Sequence, residues 1–116
     1  MAQYEELQID KGSDITIKLE LEDLNGNAKN LTNHTVAGKI KKTYNSSDSD
    51  ATIFTTEVMA PATGGVVNLS LTNIQTQALK AGRHVYDVEI SFTDSNAQTV
   101  VERVLEGNLT VTPSVT

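Results

Sequence analysis

The chain has 116 residues, a formal net charge of −6 at pH 7 and no cysteine. This length predicts one domain over residues 1–116, and the lack of cysteine excludes disulfides and thiolate metal sites. An acidic chain is poorly suited to bind phosphates, so nucleic acid is not an expected partner. No apolar run approaches the ~18 residues of a membrane span. Because a secretory leader is also lacking, we expect a cytoplasmic product without membrane contact.

Strict alternation of apolar and polar residues marks most of the predicted strands. Ile15, Ile17, Leu19 and Leu21 alternate with polar side chains, which indicates one buried and one solvated face. Gly, Asn and Pro clusters separate such runs. The predicted strands cover residues 5–10, 15–22, 35–44, 52–59, 66–71, 83–93 and 99–111.

Two positions in the first half are expected to shape the core. Gly38 lies inside a strand, which indicates a bulge or a close approach of another segment. Leu31 is predicted to close one end of the core, since it follows a polar turn around Asn25-Gly26-Asn27.

A short helical bridge is predicted over residues 72–79. Thr72 or Asn73 would cap its first turn, and Ile74 and Leu79 would both cover the core. Gly82 then turns the chain into the next strand.

The second half supplies two long strands. His84, Tyr86, Val88, Ile90 and Phe92 form the predicted inward row of the first. In the second, four apolar residues lie at odd-numbered positions, which should all face the core, but two residues that do not suit a core lie at odd-numbered positions too. This mixture predicts an irregularity, and we expect Gly107 to bend the strand or to carry a bulge. The apolar residues of this row are Val101, Leu105, Leu109 and Val111, and the two exceptions are Arg103 and Gly107. Pro113 ends the pairing, and residues 113–116 are expected to form an exposed tail.

About seven short strands and one helical turn predict an all-β fold, an immunoglobulin-like antiparallel β-sandwich. This fold by itself supplies no chemistry. Any chemistry must therefore come from individual side chains.

Neither histidine is expected to be catalytic. His84 lies on the apolar row just after Gly82, where a sandwich often carries an aromatic side chain that hydrogen-bonds back across the corner. His34 is expected at the surface. No nucleophile elbow or phosphate-binding loop is present, so we expect no enzyme, no catalytic residue and no cofactor.

The polar clusters are also better explained by structure than by ligands. Asp23, Asn25 and Asn27 alternate as in a calcium loop, but Ala28 replaces the glycine that such a loop needs, and no bidentate Glu follows. Asp48 and Asp50 form a second weak cluster, and no metal site is expected at either. Lys39, Lys41 and Lys42 are expected on a solvated sheet face or as protection of a strand edge. Five glycosylation sequons begin at Asn30, Asn33, Asn45, Asn68 and Asn108, and we attribute them to an Asn- and Thr-rich composition.

Three stretches resemble a recurrent phage domain. They are Gly64-Gly-Val-Val-Asn-Leu-Ser-Leu-Thr72, then Thr76-x-x-Leu79-x-x-Gly82-x-His84-x-Tyr86-Asp-Val88, and finally Val104-Leu-Glu-Gly107-x-Leu109-x-Val111-x-Pro113-x-Val-Thr116. They are similar to small immunoglobulin-like domains in virion structural proteins of tailed phages, notably myovirus-like cyanophages, in baseplate, tail-fibre and neck components. His84 stands where such domains more often carry Tyr.

The resemblance implies a non-catalytic assembly module located in the virion. Its partners would be other virion proteins or copies of itself in a homo-oligomer, bound through loops, a strand edge or the tail. The alternative is a glycan-binding or adhesive module, although the chain has few aromatic residues to serve as platforms.

Overall fold

A computed structural model describes residues 3–47 and 51–113, which fold into two β-sheets packed as a sandwich. Nine strands, one α-helix and a short 3-10 turn build it. In chain order they are β1 (Gln3–Tyr4), β2 (Leu7–Asp10), β3 (Ile15–Glu20), β4 (Thr35–Lys41), β5 (Thr52–Ile53), β6 (Thr55–Val58), the 3-10 turn (Ala62–Gly64), β7 (Val66–Leu71), α1 (Asn73–Ala78), β8 (Gly82–Thr93) and β9 (Thr99–Thr112).

The larger sheet has six strands and the smaller has three. The order of the larger is β1-β9-β8-β4-β5, with β2 also paired to β9, and the order of the smaller is β3-β7-β6. β1 and β2 run parallel to β9, whereas all other pairs are antiparallel. The predicted all-β sandwich with one short helix is confirmed.

Apolar residues from both sheets fill the space between them. The alternation predicted for β7 is confirmed, since Val67, Leu69 and Leu71 are all buried. The inward row of β8 is also confirmed, although Phe92 at its end is only half-buried. Leu31 is buried and packs in the same cluster, as expected for a residue that closes the core.

Gly38 is a point of close approach. A Cβ atom at this position would lie 2.9 Å from Cδ2 of the Phe54 ring, and the Phe54 N–H donates to the Gly38 carbonyl at 2.9 Å. The ring therefore fills the space that a side chain at Gly38 would need.

The predicted helical bridge is present, but the prediction that both of its apolar residues cover the core is wrong for one of them. Thr72 caps α1 in a capping box with Gln75, and Leu79 is buried as expected. Ile74, however, is 77% exposed, whereas Thr76 is fully buried. Residues three apart share a helix face and residues five apart do not, so the face that carries Leu79 carries Thr76 and excludes Ile74.

The irregularity predicted in the last strand is confirmed, but Gly107 does not carry the bulge. The register between β8 and β9 shifts where Val88 pairs with Leu105 and Glu89 pairs with Arg103, which leaves Val104 as the extra residue. This bulge reverses the parity of the preceding residues. Val101 is consequently exposed, and its predicted place in the core is wrong.

Two predicted strands differ in extent from the observed ones. The first, predicted over residues 5–10, begins only at Leu7 as β2, and β1 is a separate short strand that precedes it. The fourth, over residues 52–59, changes sheets at Phe54, because β5 pairs with β4 in the larger sheet and β6 pairs with β7 in the smaller one. The Asp48–Asp50 cluster and residues 114–116 of the expected tail lie outside the described residues.

Candidate interaction surfaces

The edges of the two sheets differ in length and regularity. Within residues 3–47 and 51–113, the smaller sheet ends at β3 on one side and at β6 on the other, and the larger ends at β5 and at the β1–β2 segment. β3 has six residues in one unbroken strand, whereas β6 has four and β5 has two. β3 is therefore the longest regular edge that the described part of the chain presents.

The backbone of β3 directs every second residue toward the open edge. The Leu21 N–H donates to the Gly65 carbonyl at 2.8 Å, just beyond the pairing of β3 with β7. In a strand, the N–H and C=O of one residue point to the same side and alternate along the chain. Thr16, Lys18 and Glu20 therefore direct their backbone N–H and C=O groups away from β7.

A row of half-buried apolar side chains follows this open edge. Among the described residues, six apolar side chains pack against the core without being buried, and five of them belong to β2, β3, the residue after β3, or the bulge of β9. These five are Leu7, Ile15, Ile17, Leu21 and Val104. Their incomplete burial coincides with the side on which β3 lacks a neighbouring strand among the described residues.

A continuous groove separates β3 from the edge of the larger sheet. One part, of about 130 Å³, is lined by residues of β1, β3 and β9, including Gln3, Leu19 and Leu105. The adjoining part, of about 430 Å³, extends past Glu22. The two parts share lining residues, so they form one trough, and we call it the open groove.

Carboxylates outnumber amines in the open groove by four to two. The carboxylates belong to Glu5, Glu20, Glu22 and Glu102, and the amines to Lys18 and Lys29. Lys18 Nζ lies 3.4 Å from Glu20 Oε1, and Lys29 Nζ lies 3.6 Å from Glu102 Oε1. Each amine is thus already paired with a carboxylate, and the groove retains an excess of negative charge.

Both edges of the larger sheet are covered or anchored. The side chain of Gln75 donates to the Ile53 carbonyl at 3.2 Å, which satisfies one acceptor of β5. On the larger sheet, the Tyr86 hydroxyl donates to the Glu5 carbonyl at 2.8 Å, and burial, followed by the charge of Glu5, raises the pKa of Tyr86. A Cβ atom at Gly107 would overlap the Glu5 carbonyl oxygen. Gly107 is therefore required for this anchoring contact.

The outer face of the larger sheet carries a second groove, of about 410 Å³, with mixed charges. Arg103 lies 3.4 Å from Asp87 and 3.3 Å from Glu106, and the hydrogen bond to Glu106 and the charge of Asp87 raise its pKa. Lys39 also lines this groove, which confirms its expected place on a solvated sheet face. The ring of Tyr44 is 73% exposed beside it.

The two histidines have structural partners. His84 is buried, and its Nε2–H donates to the Lys80 carbonyl at 2.8 Å, which confirms the predicted corner hydrogen bond. His34 is half-buried, more than expected, because its ring lies 4.8 Å from the ring of Phe92. Its Nδ1–H donates to the Thr32 carbonyl at 2.9 Å.

The calcium-like sequence is a backbone turn. One oxygen of Asp23 accepts hydrogen bonds from the N–H groups of Asn25 and Asn27, at 2.8 and 3.1 Å. Asn68 and Asn108, which begin two of the sequons, lie inside β7 and β9. In the part of the chain that the structure describes, no group of three or more His, Asp or Glu side chains could hold a metal ion. None of the described helices is long and apolar enough to cross a membrane.

Comparison with solved structures identifies the type of sandwich. Murine CRIg superposes with a TM-score of 0.51 at 14% sequence identity, and the match covers 91% of each chain. The fold is immunoglobulin-like. At this identity the likeness shows the fold alone.

A second solved structure is more distant. AggA, the major subunit of aggregative adherence fimbriae type I from Escherichia coli, matches with a TM-score of 0.38 and 12% identity over 92% of this chain and 89% of AggA, a likeness too weak to support an argument. No protein-family model and no curated protein matches the sequence.

Sequence reasoning expected loops, a strand edge or the tail to bind a partner, but it did not identify the edge. The apolar residues of β3 alternate as those of any half-buried strand do. Which edge stays open depends on the pairing of strands distant in sequence, and no local signal reports it.

Proposed function

We propose that the protein is a non-catalytic structural module of a tailed-phage virion that binds a neighbouring protein chain along the open edge of β3. The observation that supports this function most directly is the coincidence of a six-residue unpaired edge, among the described residues, with half-buried apolar side chains beside it. An added strand would gain main-chain hydrogen bonds from the edge and side-chain contacts from the groove.

The design of this edge favours binding over simple exposure. Exposed strand edges are commonly shortened, bulged or covered, because they can pair with other chains. β5 follows this rule through its two-residue length and the cover by Gln75. β3 carries the charged residues Lys18 and Glu20, but it is neither shortened nor bulged nor covered by another segment among the described residues.

The virion location rests on the resemblance of residues 64–72, 76–88 and 104–116 to phage domains. Their described residues form β7, the end of α1, the first part of β8 and the end of β9. Mass spectrometry of purified particles of the phage that encodes the chain is the direct test. We expect the protein in the particles at a fixed stoichiometry; particles that lack it would refute this location.

A substitution in β3 tests whether incorporation into the virion depends on the open edge of this strand. Thr16→Pro removes an N–H that faces the open edge without removing a bond to β7. We expect phage encoding this variant to incorporate less of the protein, whereas the control Thr16→Ala, which keeps the N–H, should be incorporated normally. Equal incorporation of both variants would exclude β3 as the contact.

Glycan binding is a second candidate function, favoured by the exposed ring of Tyr44 beside the polar groove on the outer face of the larger sheet. An aromatic ring can pack on the apolar face of a sugar while neighbouring polar groups bond its hydroxyls. A glycan-array screen tests it: specific binding that Tyr44→Ala abolishes would rank this function first.

A further inference from the structure

We propose that the segment received by the open groove is a single extended strand from another protein, with Lys or Arg residues at the positions opposite Glu20 and Glu22. This inference rests on the proposed function, because it assumes that β3 accepts a strand. It adds the chemistry of the partner.

The groove admits a strand more readily than a second copy of this protein. Its lining includes Gln3 and Glu5 from the edge of the larger sheet as well as residues of β3, so an added strand would pair with β3 while facing β1 across the groove. Stacked sheets lie about 10 Å apart, which suits one strand per layer. Two copies joined through β3 would each bring a β1 segment toward the same groove.

The half-buried apolar row defines the inward side chains of the partner. Side chains of an added strand alternate between the two faces of the sheet. Those that point inward would meet Ile15, Ile17 and Leu21, whose burial is incomplete. We therefore expect apolar residues at every second position of the segment.

Charge defines the outward side chains. The exposed face of β3 presents Thr16, Lys18 and Glu20, and Glu22 follows two residues later. Directly opposite side chains on neighbouring strands interact, and opposite charges stabilise the pair. Two carboxylates of the groove, Glu5 and Glu22, are paired with neither of its lysines, and this excess of negative charge adds to the preference for a basic segment.

Two synthetic peptides test the preference for charge. Each alternates valine and threonine over about eight residues, the span of β3 and its flanks; one has lysine and the other glutamate in two adjacent outward positions. Isothermal titration to the intact protein should show at least about fivefold tighter binding of the lysine peptide at low salt, with the difference shrinking as salt is added.

Two charge reversals locate the effect. Glu20→Lys should weaken the lysine peptide and strengthen the glutamate peptide, each by about fivefold. Glu57→Lys is the matched control, because Glu57 is an exposed carboxylate on β6 at the opposite edge of the same sheet. It should leave both affinities unchanged.

The outcomes separate the partner chemistry from strand addition itself. Equal binding of the two peptides, or an equal effect of the two reversals, would overturn the basic partner while leaving strand addition in place. If neither peptide binds, or if a lysine peptide N-methylated at alternate residues binds as well as the unmodified one, strand addition at β3 fails. A dimer of the protein alone that Glu20→Lys dissociates would show that a second copy occupies the edge.

Discussion

The two long sides of the sandwich are built differently. On one side, residues 52–58 form a single extended segment that pairs first with β4 and then with β7, so the same backbone belongs to both sheets. The opposite side lies between β3 and the edge formed by β1 and β9. There the described chain passes from one sheet to the other at one end, through the turn that connects β2 to β3.

This difference has a clear consequence for packing. At the shared segment, Phe54 is 3% exposed, its ring fills the place of a side chain at Gly38, and the Thr56 hydroxyl donates to the Val36 carbonyl. On the open side, Ile15 and Ile17 remain half-buried although they belong to a regular strand. The segment that changes sheets thus buries Phe54 although Val58 at its end stays half-buried, whereas the open side leaves a row of apolar side chains for another chain.

The largest expected loss of stability comes from truncating a buried side chain on the closed side, and the same truncation on the open side gives a direct comparison. Phe54→Ala should lower the free energy of unfolding by about 3–5 kcal/mol, because it empties a buried site. Ile17→Ala should cost roughly half as much, since that side chain is already partly in water. Urea denaturation of both variants measures the difference. Equal losses would contradict the distinction between a closed and an open side.

The next largest effect concerns the contact that anchors the β1–β2 segment, which borders the open side, to β8 and β9 at Glu5. Gly107→Ala would bring a Cβ atom into the Glu5 carbonyl, and we expect a loss of about 2–3 kcal/mol together with faster amide exchange at Glu5. Gly26→Ala is the control, because Gly26 also has a positive φ but no atom lies within 4 Å of an added Cβ. It should cost about 1 kcal/mol. If both substitutions lower the free energy of unfolding equally, the close contact between Gly107 and Glu5 does not anchor the segment.

Substitutions that loosen the β2–β3 turn, at the joined end of the open side, should have an intermediate effect on stability. The buried Thr76 hydroxyl accepts from the Gly12 N–H at 3.1 Å and donates to the Ser13 carbonyl at 2.8 Å, which ties the β2–β3 turn to α1. Thr76→Val removes both hydrogen bonds and should cost about 1–3 kcal/mol. Exposed Ile74 provides a control on the same helix, and Ile74→Ala should change stability by less than about 0.5 kcal/mol. A larger loss of thermal stability for Ile74→Ala than for Thr76→Val would show that α1 does not hold the β2–β3 turn through Thr76.

The smallest effect depends on pH. The raised pKa of Tyr86 means that the folded phenol holds its proton above the usual value of 10.0. Its contribution to stability is therefore complete below pH 10 and declines as the pH rises further, since only the unfolded chain releases the proton readily. Tyr86→Phe should cost about 1 kcal/mol at neutral pH and should lose less stability than the native chain above pH 10. Parallel stability curves of the two proteins would contradict this.

The sequence predicts the strands well where one face meets a continuous core. β7 and β8 follow strict alternation because each is flanked on both sides, and the burial of Leu69 and Val88 results directly. The corner hydrogen bond of His84 could also be predicted, since it depends on a residue only four positions away.

The failures share a different cause. Apolarity and parity predict Ile74 and Val101 in the core, but Ile74 lies on the outer face of α1 and the bulge in β9 turns Val101 outward. The open groove could not be predicted at all, because it arises where a neighbouring strand is missing beside β3 in the described chain. Local patterns describe what a segment can bury, and only the paired sheets show what remains uncovered.

Amide exchange along β3 tests the central claim most directly. In the free protein, the N–H groups of Thr16, Lys18 and Glu20 should exchange faster than those of Ile17 and Leu19, which face β7. Addition of the lysine peptide should slow exchange at Thr16, Lys18 and Glu20 specifically, as measured by NMR. Unchanged exchange at these three amides, with the peptide bound instead beside Tyr44 on the other sheet, would contradict the account.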